Sequence, residues 1–69
     1  MKIEEVKSGM PVRAVRPIRT FKVGKEDMIP TNTTGTVGRI STTSHPPLVE
    51  VNFGERYGSV SVTPDRLKA

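Results

Sequence analysis

The sequence predicts an all-β domain, and three observations carry that expectation. Leu48-Val49-Glu50-Val51-Asn52-Phe53 and Ser59-Val60-Ser61-Val62-Thr63 alternate apolar and polar residues, the period of two that lays one face of a strand on a core. Most of the glycines and prolines, six of each in 69 residues, fall between such runs, as turn residues do. The third is the stretch RAVRPIRTFK, where Arg13, Arg16, Arg19 and Lys22 recur every third residue. A helix would gather them on one face, but Pro17 lacks an amide hydrogen and disfavours the α conformation at Arg16. An extended path remains, with Arg13 and Arg19 on one side and Arg16 and Lys22 on the other.

Each element follows in chain order. Ser8-Gly9-Met10-Pro11 reads as a turn, and Val12 to Val15 as a first short strand. Pro17 to Pro30 holds Gly24 and the charged Lys25-Glu26-Asp27 before Met28-Ile29, the composition of a long excursion loop pinned by apolar ends. Thr36 to Ile40 reads as a second strand, in which Gly35 and Gly38 predict a bend or a close approach of another backbone. His45-Pro46-Pro47 marks the next loop. Leu48 to Phe53 is a half-buried strand with Val49, Val51 and Phe53 inward, Gly54 to Gly58 a turn, and Ser59 to Thr63 the returning arm of a hairpin with Val60 and Val62 inward. Pro64-Asp65-Arg66-Leu67 suits one 3₁₀ turn capped by Thr63, with Leu67 dropping into the core and a short last strand after it.

Size and composition set the frame. The chain is one domain, residues 1–69 with an ordered core over about 9–69, and without cysteine it has no disulfide or thiolate site, so a small core or an oligomer interface must stabilise it. No apolar run approaches the roughly 20 residues of a membrane span, and MKIEEVKSGM lacks the apolar stretch of a signal peptide, which makes a cytoplasmic protein the expectation. The net charge of +4 is uneven: residues 1–25 hold seven basic and two acidic side chains, leaving the rest with a net −1. A basic first third points to an acidic protein partner or to a nucleic-acid backbone.

Five short strands with a long first loop, a late hairpin and a 3₁₀ turn before the last strand follow the order of an SH3-like barrel. The succession GMPVRAVRPI, a long loop, IPTNTTGTVGRI, LVEVNF and SVSVTPDRLKA resembles the small SH3-like barrels of electron-transport accessory proteins over residues 9–69. That group takes in the photosystem I subunit PsaE, the ferredoxin-thioredoxin reductase variable chain, the C-terminal domain of the nitrile hydratase β subunit and the type II dihydrofolate reductases. Its shared motifs are structural, so the resemblance implies a fold more than an activity. It also implies that the loop after the first strand borders the partner-binding face. The reductases carry a Gln-Ile-Tyr triplet for their ligands where this chain has Ser61-Val62-Thr63, which removes the amide and the phenol and leaves a reductase only a remote alternative.

Other chemistry finds little support. His45 is the only histidine, sits beside two prolines and has no partner at metal-ligand spacing. Ser59 and Ser61 lie on a strand without a nucleophile turn, and Gly35-Thr36-Val37-Gly38 lacks the Lys-Ser/Thr of a phosphate loop. No catalytic residue, metal or cofactor is implied. The expected function is a non-catalytic accessory or docking module that binds an acidic protein or a multi-subunit complex. Its expected surface comprises Arg13, Arg16, Arg19, Lys22, Arg39, Arg56 and Tyr57, the arginines pairing with carboxylates and Tyr57 acting as an amphipathic anchor. The alternative is a nucleic-acid-binding β-barrel, in which Phe21 and Tyr57 would stack on bases. A homo-oligomer is compatible with either.

Overall fold

Two sheets organise the chain in the computed structural model, which describes residues 1–20, 24 and 28–69. The strands are β1 (Pro11–Ala14), β2 (Ile18–Arg19), β3 (Met28–Ile29), β4 (Thr34–Ser41), β5 (Leu48–Asn52), β6 (Ser59–Val62) and β7 (Leu67–Lys68). Short 3₁₀ turns cover Ile3–Glu5 and Pro64–Arg66. Five strands form one antiparallel sheet in the order β6-β5-β4-β1-β7, and β2 and β3 form a separate ribbon. The fold is all-β. Among the described residues no helix is long and apolar enough to cross a membrane.

The hairpin is the element that alternation predicted best. Val49 opposes Val62 and Val51 opposes Val60, so the apolar residues of both strands share the core face, while Glu50 and Ser61 pair on the other. Val49, Val51, Phe53 and Val62 are buried and Val60 is half-buried. The turn closes through Phe53, whose amide donates to the Gly58 carbonyl at 3.0 Å, and Gly58, whose amide donates to Gly54 at 2.7 Å. Gly54 and Gly58 hold φ values of 95° and 76°, where a Cβ is disfavoured.

β4 departs from simple alternation. Its register with β5 shifts between Val37 and Ile40, so Val37 is buried, Gly38 and Arg39 are both exposed and Ile40 turns back against the core. This bulge is the bend that the glycines predicted, and it leaves Arg39 on the outer face. Gly35 meets the other half of that expectation: a Cβ there would lie 2.6 Å from Val51 Cγ1 and 2.8 Å from Phe53 Cδ1.

Three expectations shift. The first strand is one residue earlier than the Val12 to Val15 reading, since β1 keeps Val12 and Ala14 inward and the chain bends at Val15 and Arg16. The long loop has a paired stem, with Ile18 opposite Ile29 and both buried, whereas Met28 points outward at 41% exposure. Ile29 is therefore the residue that pins the loop, with Ile18 and not Met28. Residues 21–23 and 25–27 of that loop, among them Phe21, Lys22, Lys25, Glu26 and Asp27, lie outside the described residues. The core also extends closer to the N-terminus than residue 9: Val6 is buried in it, and the Met1 ammonium donates to the Leu67 carbonyl at 3.1 Å.

Candidate functional site

The bend after β1 decides where the arginines of RAVRPIRTFK go. Arg13 lies on β1 opposite Thr34 on one side and Lys68 on the other, an exposed pair of like charges. It borders a small hollow of about 130 Å³ with Pro11, Val12, Thr34 and Ala69. Arg16 is exposed in the bend itself, and Arg19 is exposed on β2. A single extended strand does not carry all three, because the chain turns between them.

The 3₁₀ turn at Pro64–Arg66 brings a further arginine to this end of the molecule. The Val15 amide donates to the Arg66 carbonyl at 2.9 Å, which ties the turn to the bend. Thr63 occupies the cap position, where its carbonyl accepts from the Arg66 amide at 3.1 Å but its side chain makes no capping hydrogen bond to the turn's backbone. Its hydroxyl instead hydrogen-bonds the Asp65 carboxyl, the main reason that this carboxyl is held below its ordinary range; desolvation works the other way, and its own amide and then the charges of Arg66 and Arg16 add to the lowering. The expected cap thus serves Asp65, whose charge also interacts with those of Arg66 and, least, Arg16.

Arg19 and Arg66 then line one open hollow of about 370 Å³. Its other walls are Ile18 of β2, Leu48 of β5 and the run Val60-Ser61-Val62-Thr63 along β6. Ile18, Leu48, Val60 and Val62 give it apolar walls, and among the described residues no acidic side chain lines it. On the outer face of the sheet, Leu48 and Ser61 also border a second hollow of about 270 Å³, with Arg39, Glu50, Ser41 and Ser44. There Glu50 offsets the charge of Arg39.

Of the residues expected to form one surface, Arg19 borders the hollow it shares with Arg66, Arg16 is exposed in the bend tied to Arg66, Arg39 lies across the Leu48–Ser61 wall, and Arg13 borders a different hollow. Arg56 and Tyr57 sit at the turn end of the hairpin, with the guanidinium carbon 5.7 Å from the ring centroid and Tyr57 packed against the core. Lys22 lies outside the described residues. Arg66 and Lys68 were missed. For Arg66 a signal was present: if Leu67 drops inward after a 3₁₀ turn, its neighbour must face out beside the strand end.

The described lining of the hollow that Arg19 and Arg66 share offers two guanidinium groups beside apolar side chains. His45 is exposed in the loop before Leu48, outside every hollow described above. Among the described residues no three His, Asp or Glu side chains are grouped to hold a metal ion. Neither a family model, nor a curated protein, nor a solved structure gives a significant match to the chain.

Proposed function

We propose that the chain is a five-stranded SH3-like barrel that acts as a non-catalytic docking module, binding an acidic surface of a larger protein assembly. The barrel reading is supported by the sheet order. The outermost strands β6 and β7 are joined by Thr63 and the single turn Pro64–Arg66. Five flat strands would put those edges about 19 Å apart at roughly 4.8 Å per strand, whereas a 3₁₀ turn rises only about 2 Å per residue. The sheet must roll to let so short a link join its edges. A cytoplasmic setting belongs to the same reading and is checked by fractionating host cells.

The observation that carries the function is the placement of Arg19 and Arg66 on one hollow beside the apolar side chains of Ile18, Leu48, Val60 and Val62, with Arg16 exposed in the bend that the Val15 amide ties to Arg66. Guanidinium groups beside apolar walls suit carboxylates flanked by hydrophobic residues, because each forked donor fixes a carboxylate while the walls take the neighbouring side chain. Nucleic acid fits less well. Among the described residues no aromatic side chain lines the hollow for a base to stack on, and Tyr57 sits in the hairpin turn at the other end of β6.

The test is capture from host extract on immobilised protein, followed by kinetics with the captured partner. Reversing Arg16 and Arg19 to Glu is expected to slow association about tenfold or more and to leave the folded structure unchanged, since exposed charges steer encounter and add little stability. Capture that ignores the reversal overturns the docking reading. So does retention of arbitrary oligonucleotides with log affinity falling linearly in log salt, which would make phosphate the ligand.

A further inference from the structure

The docking reading leaves open how the partner is held, and the free edge of β6 bears on that. β6 ends the sheet, and its pairing with β5 fixes which backbone groups it leaves unused. The Phe53 amide bonds the Gly58 carbonyl, and in the same register Val51–Val60 and Val49–Val62 occupy hydrogen-bonded positions. β4 agrees: Val37, opposite Val51, sends its amide to Met10 on the β1 side at 2.9 Å and so does not spend it on β5. Alternation then turns the N–H and C=O groups of Ser59 and Ser61 away from β5, toward the edge.

Among the described residues, that edge is open in a way the other is not. β7 has two residues and ends in Lys68. β6 carries Ser-Val-Ser-Val with neither a charge nor a proline, the usual guards against pairing with another chain. The hollow runs along it, with Ile18 and Arg19 of β2 on the far wall and Leu48 and Arg66 completing the rim.

We propose that the module takes an extended acidic segment of its partner as an added strand on β6, lying between β6 and β2. The peptide backbone pairs with the outward groups of Ser59 and Ser61. Alternate apolar side chains fill the space over Ile18, Val60 and Val62, and carboxylates between or beside them meet Arg19 and Arg66. A second copy of this chain is a poor occupant, because it would bring the same arginines against their like on a molecule of net charge +4. A nucleic-acid strand has no backbone pattern that matches a sheet edge.

The experiment selects from a displayed library of random dodecapeptides on the whole chain, then measures amide exchange by NMR with the best peptide at saturation. The expected peptides alternate apolar residues and include Asp or Glu, and they slow exchange at Ser59 and Ser61 at least tenfold. Arg19→Glu with Arg66→Glu should weaken that binding at least tenfold. Ser61→Pro removes only an outward N–H and should abolish binding with a dispersed spectrum retained; should it unfold the domain, the arginine pair and the exchange data still decide. A Ser61 amide already protected in the free protein overturns the proposal, as do peptides that leave Ser61 unprotected and a selection that yields none. If host capture still depends on Arg16 and Arg19 in those cases, docking stands and strand addition falls.

Discussion

At the scale of single residues, Gly35 and Gly38 look alike in the sequence and differ in what surrounds them. A Cβ at Gly35 would press on Val51 Cγ1 and Phe53 Cδ1 and lie 3.0 Å from the Asn52 carbonyl, all within a packed strand pair. Val51 is fully buried and Phe53 nearly so, and neither has room to withdraw. Gly35→Ala should therefore cost about 1–3 kcal/mol, typical of overpacking, and lower the melting temperature by about 5–20 °C for a domain of this size. At Gly38 the nearest atom to an added Cβ is Glu50 Oε1 at 3.3 Å, the tip of an exposed side chain that swings aside. Gly38→Ala should stay within about 0.5 kcal/mol of the parent. Thermal melts of the two variants check the contrast, and equal losses would mean that Gly35 is not the contact point of β4 on β5.

Among the elements, the turn at Pro64–Arg66 couples charge to structure. Because the folded Asp65 carboxyl titrates below its ordinary 3.8, ionised Asp65 favours the folded state at pH values above that figure. The contribution fades as pH falls through the lowered folded value. Asp65→Asn should therefore be slightly less stable than the parent at pH 7, with the difference vanishing in acid; the effect is small because the carboxyl is exposed. Urea melts at pH 7 and pH 3 measure it, and a gap that widens in acid contradicts the Thr63 hydrogen bond. Elements also mark what was legible in advance. The β5–β6 hairpin was plain because one buried face forces period-two alternation, and the bend in β4 was announced by its glycines. The Ile18–Ile29 stem and the link from Val15 to Arg66 were not, because each joins residues far apart in the chain and no local pattern encodes the pairing. Arg66 entered the candidate site by that long-range route, while Arg13 left it through the bend at Val15 and Arg16.

For the whole molecule, the decisive quantity is how much apolar surface remains to be covered. Eleven buried hydrophobic residues, from Val6 to Leu67, make up the core cluster of the described residues. Outside it, Met28 is the one large hydrophobic residue among those described that is classed as exposed. An obligate interface buries at least roughly 1,000 Å² on each partner and resembles a divided core. Here that is more than a fifth of the 4594 Å² surface, which would have to be found on a face rich in arginine, serine and threonine. The expected state is a monomer at micromolar concentration, with a melting temperature that does not rise on a hundredfold increase in protein. Sedimentation velocity across that range gives the mass directly. A stable tetramer would instead favour the remote reductase alternative, and it would turn Ser61, Val62 and Thr63 from the wall of the proposed docking hollow into candidates for the lining of a channel shared between subunits.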